Sequence, residues 1–157
     1  MAIYKIFPEK SATLYSFYPT VNTGIDEILE ISTFISYNGT NESSRTLIQF
    51  PSNQFQDIIT NKVSNKTFDV YLKLYLANAS SLPLDYTLYC YPISGSWNIG
   101  TGKLGNSPAT TDGDSWQFRN EISGSTWFSS FPANTTGSYK SGSTAGGGLW
   151  YTSSVYQ

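Results

Sequence analysis

Thr67-Phe68-Asp69-Val70-Tyr71-Leu72-Lys73-Leu74-Tyr75-Leu76 is the most regular stretch of the chain. Phe68, Val70, Leu72, Leu74 and Leu76 fall on one side of an extended backbone, and Asp69, Tyr71, Lys73 and Tyr75 on the other. An alternation of period 2 is the signature of a strand with one core face and one partly wet face, here about 33 Å long at ~3.3 Å per residue. A helix would scatter the same apolar side chains around its axis. The stretch therefore predicts a β-strand, and with it an all-β fold.

Composition agrees. Aromatic residues make up 16% of the 157 residues (12 Tyr, 9 Phe, 4 Trp) and charged residues only 13%. Tyr, Phe and Trp suit a pleated, half-buried surface, and the Ser, Thr, Asn and Gly that fill the rest suit turns. Further strands are predicted at Ile3–Phe7, Ala12–Ser16, Glu27–Ser32, Ser44–Phe50, Asp85–Ile93, Trp116–Arg119 and Leu149–Tyr156, with a tight turn at Asn38-Gly39. At most one short helix is expected. Ser52 would be its N-cap after Pro51, and Phe55, Ile58 and Ile59 would share one face.

Length is consistent with a single domain over 1–157. From about 94 to 148 Gly, Ser, Thr and Asn dominate, punctuated by Trp97, Trp116, Trp127, Phe128 and Phe131. This region is too aromatic for a flexible linker and reads as long loops pinned by large side chains. The pattern opening at Leu149 runs out at Gln157 without a closing strand, as expected if these residues are the N-terminal part of a longer polypeptide.

Charge and residue inventory exclude several classes. The net charge is −2, and the nine Lys and Arg are scattered, so there is no cluster for nucleic acid or for an anionic membrane surface. No apolar run reaches the ~20 residues of a membrane span. The opening Met1-Ala2-Ile3-Tyr4-Lys5-Ile6-Phe7-Pro8 lacks the elements of a signal peptide, so a protein made in the cytosol is expected. The lone Cys90, within Leu88-Tyr89-Cys90-Tyr91, reads as a buried small apolar residue.

Chemistry finds little to use. Histidine is absent, which removes the general base of Ser-His-Asp and Cys-His catalysis and the usual zinc ligands. Gly100-Thr101-Gly102-Lys103 lacks the spacing of a phosphate loop and reads as a turn. Asp26, Glu27 and Glu30, or Asp112, Asp114 and Glu121, would be the acids of a glycosidase-like pair. Eleven acids on a polar surface produce such groupings without catalysis. Asp112-Gly113-Asp114 falls short of the oxygen count of a calcium loop and reads as a turn. No catalytic residue, metal ligand or cofactor is assigned. Trp97, Trp116, Trp127 and Trp150 are the candidates for ligand or partner contact, as platforms for sugar rings or anchors for a protein; the competing reading is that they pin the loops.

Two spaced patterns carry a resemblance. One runs Phe7-Pro8-x-Lys10-x-Ala12-Thr13-Leu14-Tyr15, Tyr18-Pro19-x3-Thr23-Gly24-x-Asp26-x3-Glu30 and Ser44-Arg45-x-Leu47-Ile48-x-Phe50. The other runs Tyr86-Thr87-Leu88-Tyr89-x-Tyr91-Pro92-Ile93-x3-Trp97-x2-Gly100-x-Gly102 and Asp112-Gly113-x-Ser115-Trp116. Together they resemble DNRLRE-type jelly-roll domains, which are related to carbohydrate-binding modules and archaeal disaggregatase-like repeats. The wording of the motifs is similar to virion structural proteins of marine tailed bacteriophages of the cyanophage or pelagiphage kind. The resemblance implies a two-sheet antiparallel β-sandwich of jelly-roll type. It implies a non-enzymatic virion component of tail, fibre, baseplate or head surface, made and assembled in the host cytoplasm. Its partners would be other virion proteins and further copies of itself, with cell-surface glycans bound by some relatives. Arg45 matches the family's arginine, whose implied role is structural, satisfying backbone carbonyls or an acid such as Asp26. The alternative reading is a polysaccharide-binding module of a bacterial or archaeal protein.

Overall fold

In a computed structural model the described residues are 2–64, 66–79, 87–93, 95–127, 140–142 and 146–151. Phe128, Phe131, the start of the expected strand at 85–93 and the end of that at 149–156 lie outside them. Among these residues the regular structure is β, with a single short helical segment, and the chain divides into two compact units: Met1–Glu9 with Ile48–Tyr89, and Lys10–Leu47 with Cys90–Gln157.

The second unit contains the core. Strands β1 (Lys10–Tyr15), β2 (Thr33–Ile35) and β3 (Asn41–Gln49) form a sheet in the order β1-β3-β2. β2 and β3 are antiparallel with Thr33 opposite Ser43 and Ile35 opposite Asn41. The Asn-Gly turn joins them where expected: Gly39 takes φ +82° and donates its N–H to the Ser36 carbonyl, and the Asn38 side chain accepts from the Thr40 N–H. β1 runs antiparallel to β3, since the Ser16 N–H meets the Ser43 carbonyl while Glu9 meets Gln49.

Both faces of β1 are covered. Ala12 and Leu14 enter the core, and Thr13 between them is also buried because residues 23–30 lie over the other face. The Thr13 backbone exchanges two bonds with the Thr23 hydroxyl, donating its N–H at 3.0 Å and accepting at 2.6 Å. The Glu30 N–H reaches the Thr13 hydroxyl. The strand expected at Glu27–Ser32 does not form. There the Ser44 hydroxyl accepts from the Ser32 N–H and donates to the Glu30 carbonyl, so a side chain takes the place of a ladder partner.

Two short hairpins complete this unit. β4 (Phe118–Asn120) pairs antiparallel with β5 (Ser125–Thr126) through a bulge between Phe118 and Asn120. β6 (Lys140–Gly142) pairs antiparallel with β7 (Leu149–Tyr151). Ala12, Leu14, Leu47, Trp97 and Trp127 form the apolar core, with Ile93, Ile99 and Trp116 packed against it.

The first unit is different in kind. Helix α1 (Ser52–Asp57) continues into a π-helical turn over Ile58–Val63. Pro51, not Ser52, is the N-cap, and no side chain caps the helix. What fixes its entry is apolar: Phe50, just before the cap, meets Phe55 edge-on with ring centroids 6.1 Å apart, the contact of a hydrophobic staple. Among the described residues of this unit, none is buried.

The stretch Thr67–Leu76 belongs to this unit and forms no strand. Phe68, Val70, Leu72, Leu74 and Leu76 are all exposed, as are Tyr71 and Tyr75 on the opposite side of the alternation. A strand of this pattern persists when a neighbour completes its ladder and a second layer covers its apolar face. Among the described residues neither is supplied. The expectation for Cys90 is corrected for a related reason: the residues around it join no covered strand, and the thiol is exposed. Among the described residues no helix is long and apolar enough to cross a membrane.

Candidate binding surface

Asn22 organises the loops of the second unit. It is fully buried, and its amide nitrogen donates to the Ile99 carbonyl at 2.8 Å and to the carbonyl and Oδ1 of Asp114 at 2.9 and 3.0 Å. Its amide oxygen accepts from the N–H of Gly102 at 2.7 Å and of Gly24 at 3.3 Å. One side chain thus ties Asn22-Thr23-Gly24, Gly100-Thr101-Gly102 and Asp112-Gly113-Asp114 together. The fit is close: a Cβ on Gly24 would sit 1.7 Å from the Ile99 carbonyl oxygen. Gly100-Thr101-Gly102-Lys103 is accordingly a turn, whose Gly102 serves Asn22 and whose Thr101 holds Asp112.

The acids considered for chemistry, Glu121 apart, are engaged locally and separately; one oxygen of Glu121 is buried without a hydrogen-bond partner among the described residues. Asp112 accepts from the Thr101 N–H and hydroxyl, which hold its carboxyl below the usual range. Asp26 accepts from the Leu104 N–H, Glu27 pairs with Lys103, and Glu30 accepts from the Tyr15 hydroxyl. Asp114 is buried at 1% exposure, and burial pushes its carboxyl up to about 7, opposed by backbone hydrogen bonding, by Lys10 and by Asn22. Its Oδ2 has no hydrogen-bond partner among the described residues. Among those residues no group of three or more His, Cys, Asp or Glu is placed to hold a metal ion.

The four tryptophans divide into two pairs. Trp97 and Trp127 are buried in the core. The Trp127 indole N–H donates to the Ser115 carbonyl at 2.9 Å, and the Lys10 ammonium lies over the Trp97 ring while donating to the Trp97 carbonyl. Neither offers a face to a ligand in this conformation. Trp116 and Trp150 are half-buried and enclose the Arg45 guanidinium, whose carbon lies 4.9 Å and 4.6 Å from their ring centroids. Arg45 donates to the Gly147 carbonyl at 2.5 Å, so the side chain satisfies a backbone carbonyl and not Asp26. Gly146 permits the approach, with φ +105° and no room for a Cβ beside the Trp116 carbonyl oxygen. Tyr91 stacks on Trp150 at 6.4 Å and 29°, and extends the series outward to solvent.

A second aromatic surface has no counterpart in the sequence-derived site. Phe17 packs edge-on against Tyr18 at 4.9 Å and against Phe34 at 5.7 Å, and Tyr18 meets Tyr15 at 6.4 Å. Phe17, Tyr18 and Phe34 remain nearly half exposed. The signal available for it was the dense run Tyr15-Ser16-Phe17-Tyr18 ahead of Pro19, whose meeting with Phe34 depends on the β2–β3 hairpin. The described residues of the second unit thus offer two aromatic faces, Tyr91/Trp150 and Phe17/Tyr18/Phe34, suited to the apolar face of a ring or to a protein side chain.

A scan against protein-family models found none that matches this chain, and neither the search of curated proteins nor that of solved structures returned a match.

Proposed function

We propose that this protein is a non-enzymatic structural component of a bacteriophage virion, a jelly-roll module of DNRLRE type that acts through protein–protein contacts. The observation that carries the reading is the run of large apolar side chains left exposed at alternate positions from Phe68 to Leu76. A surface of that kind is stable in water when another polypeptide covers it, as in an assembled particle. The motif resemblance supplies the kind of particle. Mass spectrometry of purified tailed-phage particles that encode the chain tests the reading: it is expected among the virion proteins, and its absence from intact particles overturns the assignment.

A polysaccharide-binding role is the second reading, favoured by the exposed Tyr91 ring stacked on Trp150. A glycan array comparing the wild type with Tyr91→Ala and Trp150→Ala tests it. Binding lost in both variants supports it, and binding to no glycan rejects it.

A further inference from the structure

Asp69 and Lys73 are the only charged residues between Thr67 and Leu76, and they stand four positions apart with Tyr71 midway. That spacing is self-complementary. If the stretch is laid antiparallel on a copy of itself with Tyr71 opposite Tyr71, each Asp69 faces a Lys73 of the other copy, and the pair occurs twice. On the other face Phe68 meets Leu74 and Val70 meets Leu72, again twice. A parallel, in-register pairing would instead set Asp69 on Asp69 and Lys73 on Lys73, which is unfavourable across a strand pair.

The structure leaves this segment available. Its residues are exposed and in no strand, no described hydrogen bond engages the Asp69 carboxylate, and Lys73 lies only over the Tyr75 ring on its own segment. A covering partner must offer a matching ladder, a matching apolar face and opposite charges at the same spacing. Residues 67–75 meet all three conditions, with Leu76 left opposite Lys66 at the end of the ladder.

We propose that Thr67–Tyr75 is a self-association strand that pairs antiparallel with the same stretch of a second copy, about a two-fold axis at Tyr71. The contact is isologous and closes on two chains. It gains main-chain hydrogen bonds by strand addition, with Asp69–Lys73 setting direction and register. This goes beyond the virion reading and does not rest on it, since a polysaccharide-binding module would pair in the same way.

Sedimentation velocity of the purified full chain over a wide concentration range, with Asp69→Lys, Lys73→Asp and the double exchange, tests the proposal. The wild type is expected to show a reversible monomer–dimer equilibrium. Each single variant converts both cross-strand pairs to like charges and is expected to weaken the dimer about tenfold or more. The double exchange keeps the net charge and is expected to restore wild-type affinity, and an equimolar mixture of the two single variants is expected to form the heterodimer. Both sites are exposed, and unchanged near-ultraviolet circular dichroism from Trp97 and Trp127 will verify that the core is intact. A wild type monomeric throughout, fibrous growth in place of a dimer, or a dimer indifferent to both single variants overturns the proposal. Each of these results is separate from presence or absence in virions.

Discussion

The side-chain nitrogen of Asn22 donates to both the backbone carbonyl and the carboxylate of Asp114, 92 positions further along the chain. The loop architecture of the second unit depends on that contact, because the same amide also serves Ile99, Gly24 and Gly102. Truncation therefore strands several buried backbone groups at once. Asn22→Ala is expected to destabilise the protein by about 3 kcal/mol or more, given about 1–3 kcal/mol for each buried group left unpaired. Urea unfolding followed by tryptophan fluorescence measures it. A loss below about 1 kcal/mol would show that water replaces the amide.

Asp114 makes stability depend on pH. Burial raises its carboxyl from 3.8 to about 7, so the folded state retains a proton that the unfolded state releases. Its contribution is most favourable below about pH 4, falls as pH rises toward 7, and is constant above that. Three pH units correspond to a loss on the order of 2–4 kcal/mol. Burial raises Asp26 and Glu121 too, so part of the slope belongs to them. Asp114→Asn keeps an acceptor for Asn22 and removes the titration. It is expected to flatten the unfolding free energy between pH 4 and 7 and to exceed the wild type in stability at pH 8.

Arg45 lies between Trp116 and Trp150 and is bonded to Gly147, so a planar guanidinium is required and not charge alone. Arg45→Lys is expected to cost about 1–3 kcal/mol, from two cation–π contacts and one charge-assisted hydrogen bond. Thermal unfolding gives the loss, and a red shift in tryptophan emission should accompany it as the two indoles gain water.

Two glycines separate steric from conformational demand. Gly24 has negative or extended φ, yet a Cβ there would overlap the Ile99 carbonyl oxygen; Gly39 has φ +82° with nothing within 4 Å. Gly39→Ala is expected to cost about 1 kcal/mol, from the left-handed backbone alone. Gly24→Ala is expected to cost several times as much, because backbone must move. Equal effects in a denaturant titration would refute the close approach at Gly24.

Local chemistry was legible wherever neighbours in sequence decide it. The Asn38-Gly39 turn, the strands at Ala12 and Ser44 and the short helix after Pro51 stand where residue types place them, because turn geometry and short-range packing need no distant partner. The role of Asn22 was not legible, since its partners are spread from Gly24 to Asp114 and an Asn beside Thr-Gly reads as any turn residue. Nor could the sequence sort the tryptophans: Trp97 and Trp127 fill the core while Trp116 and Trp150 enclose Arg45, a division made by which loops cross which sheet.

The stretch Thr67–Leu76 marks the boundary between these two kinds of information. Its alternation was determined by the sequence alone, because the two-residue period is written in the order of side chains. Whether that alternation becomes a strand was decided only in three dimensions, where a ladder partner and a covering layer must be present. Among the described residues neither is present, and the apolar side chains from Phe68 to Leu76 stay in solvent. β1 has the opposite outcome: its short alternation is completed on one face by the core around Leu14 and on the other by Thr23 and Glu30. Side-chain order sets the potential of a strand, and burial of both its backbone and its apolar face realises it.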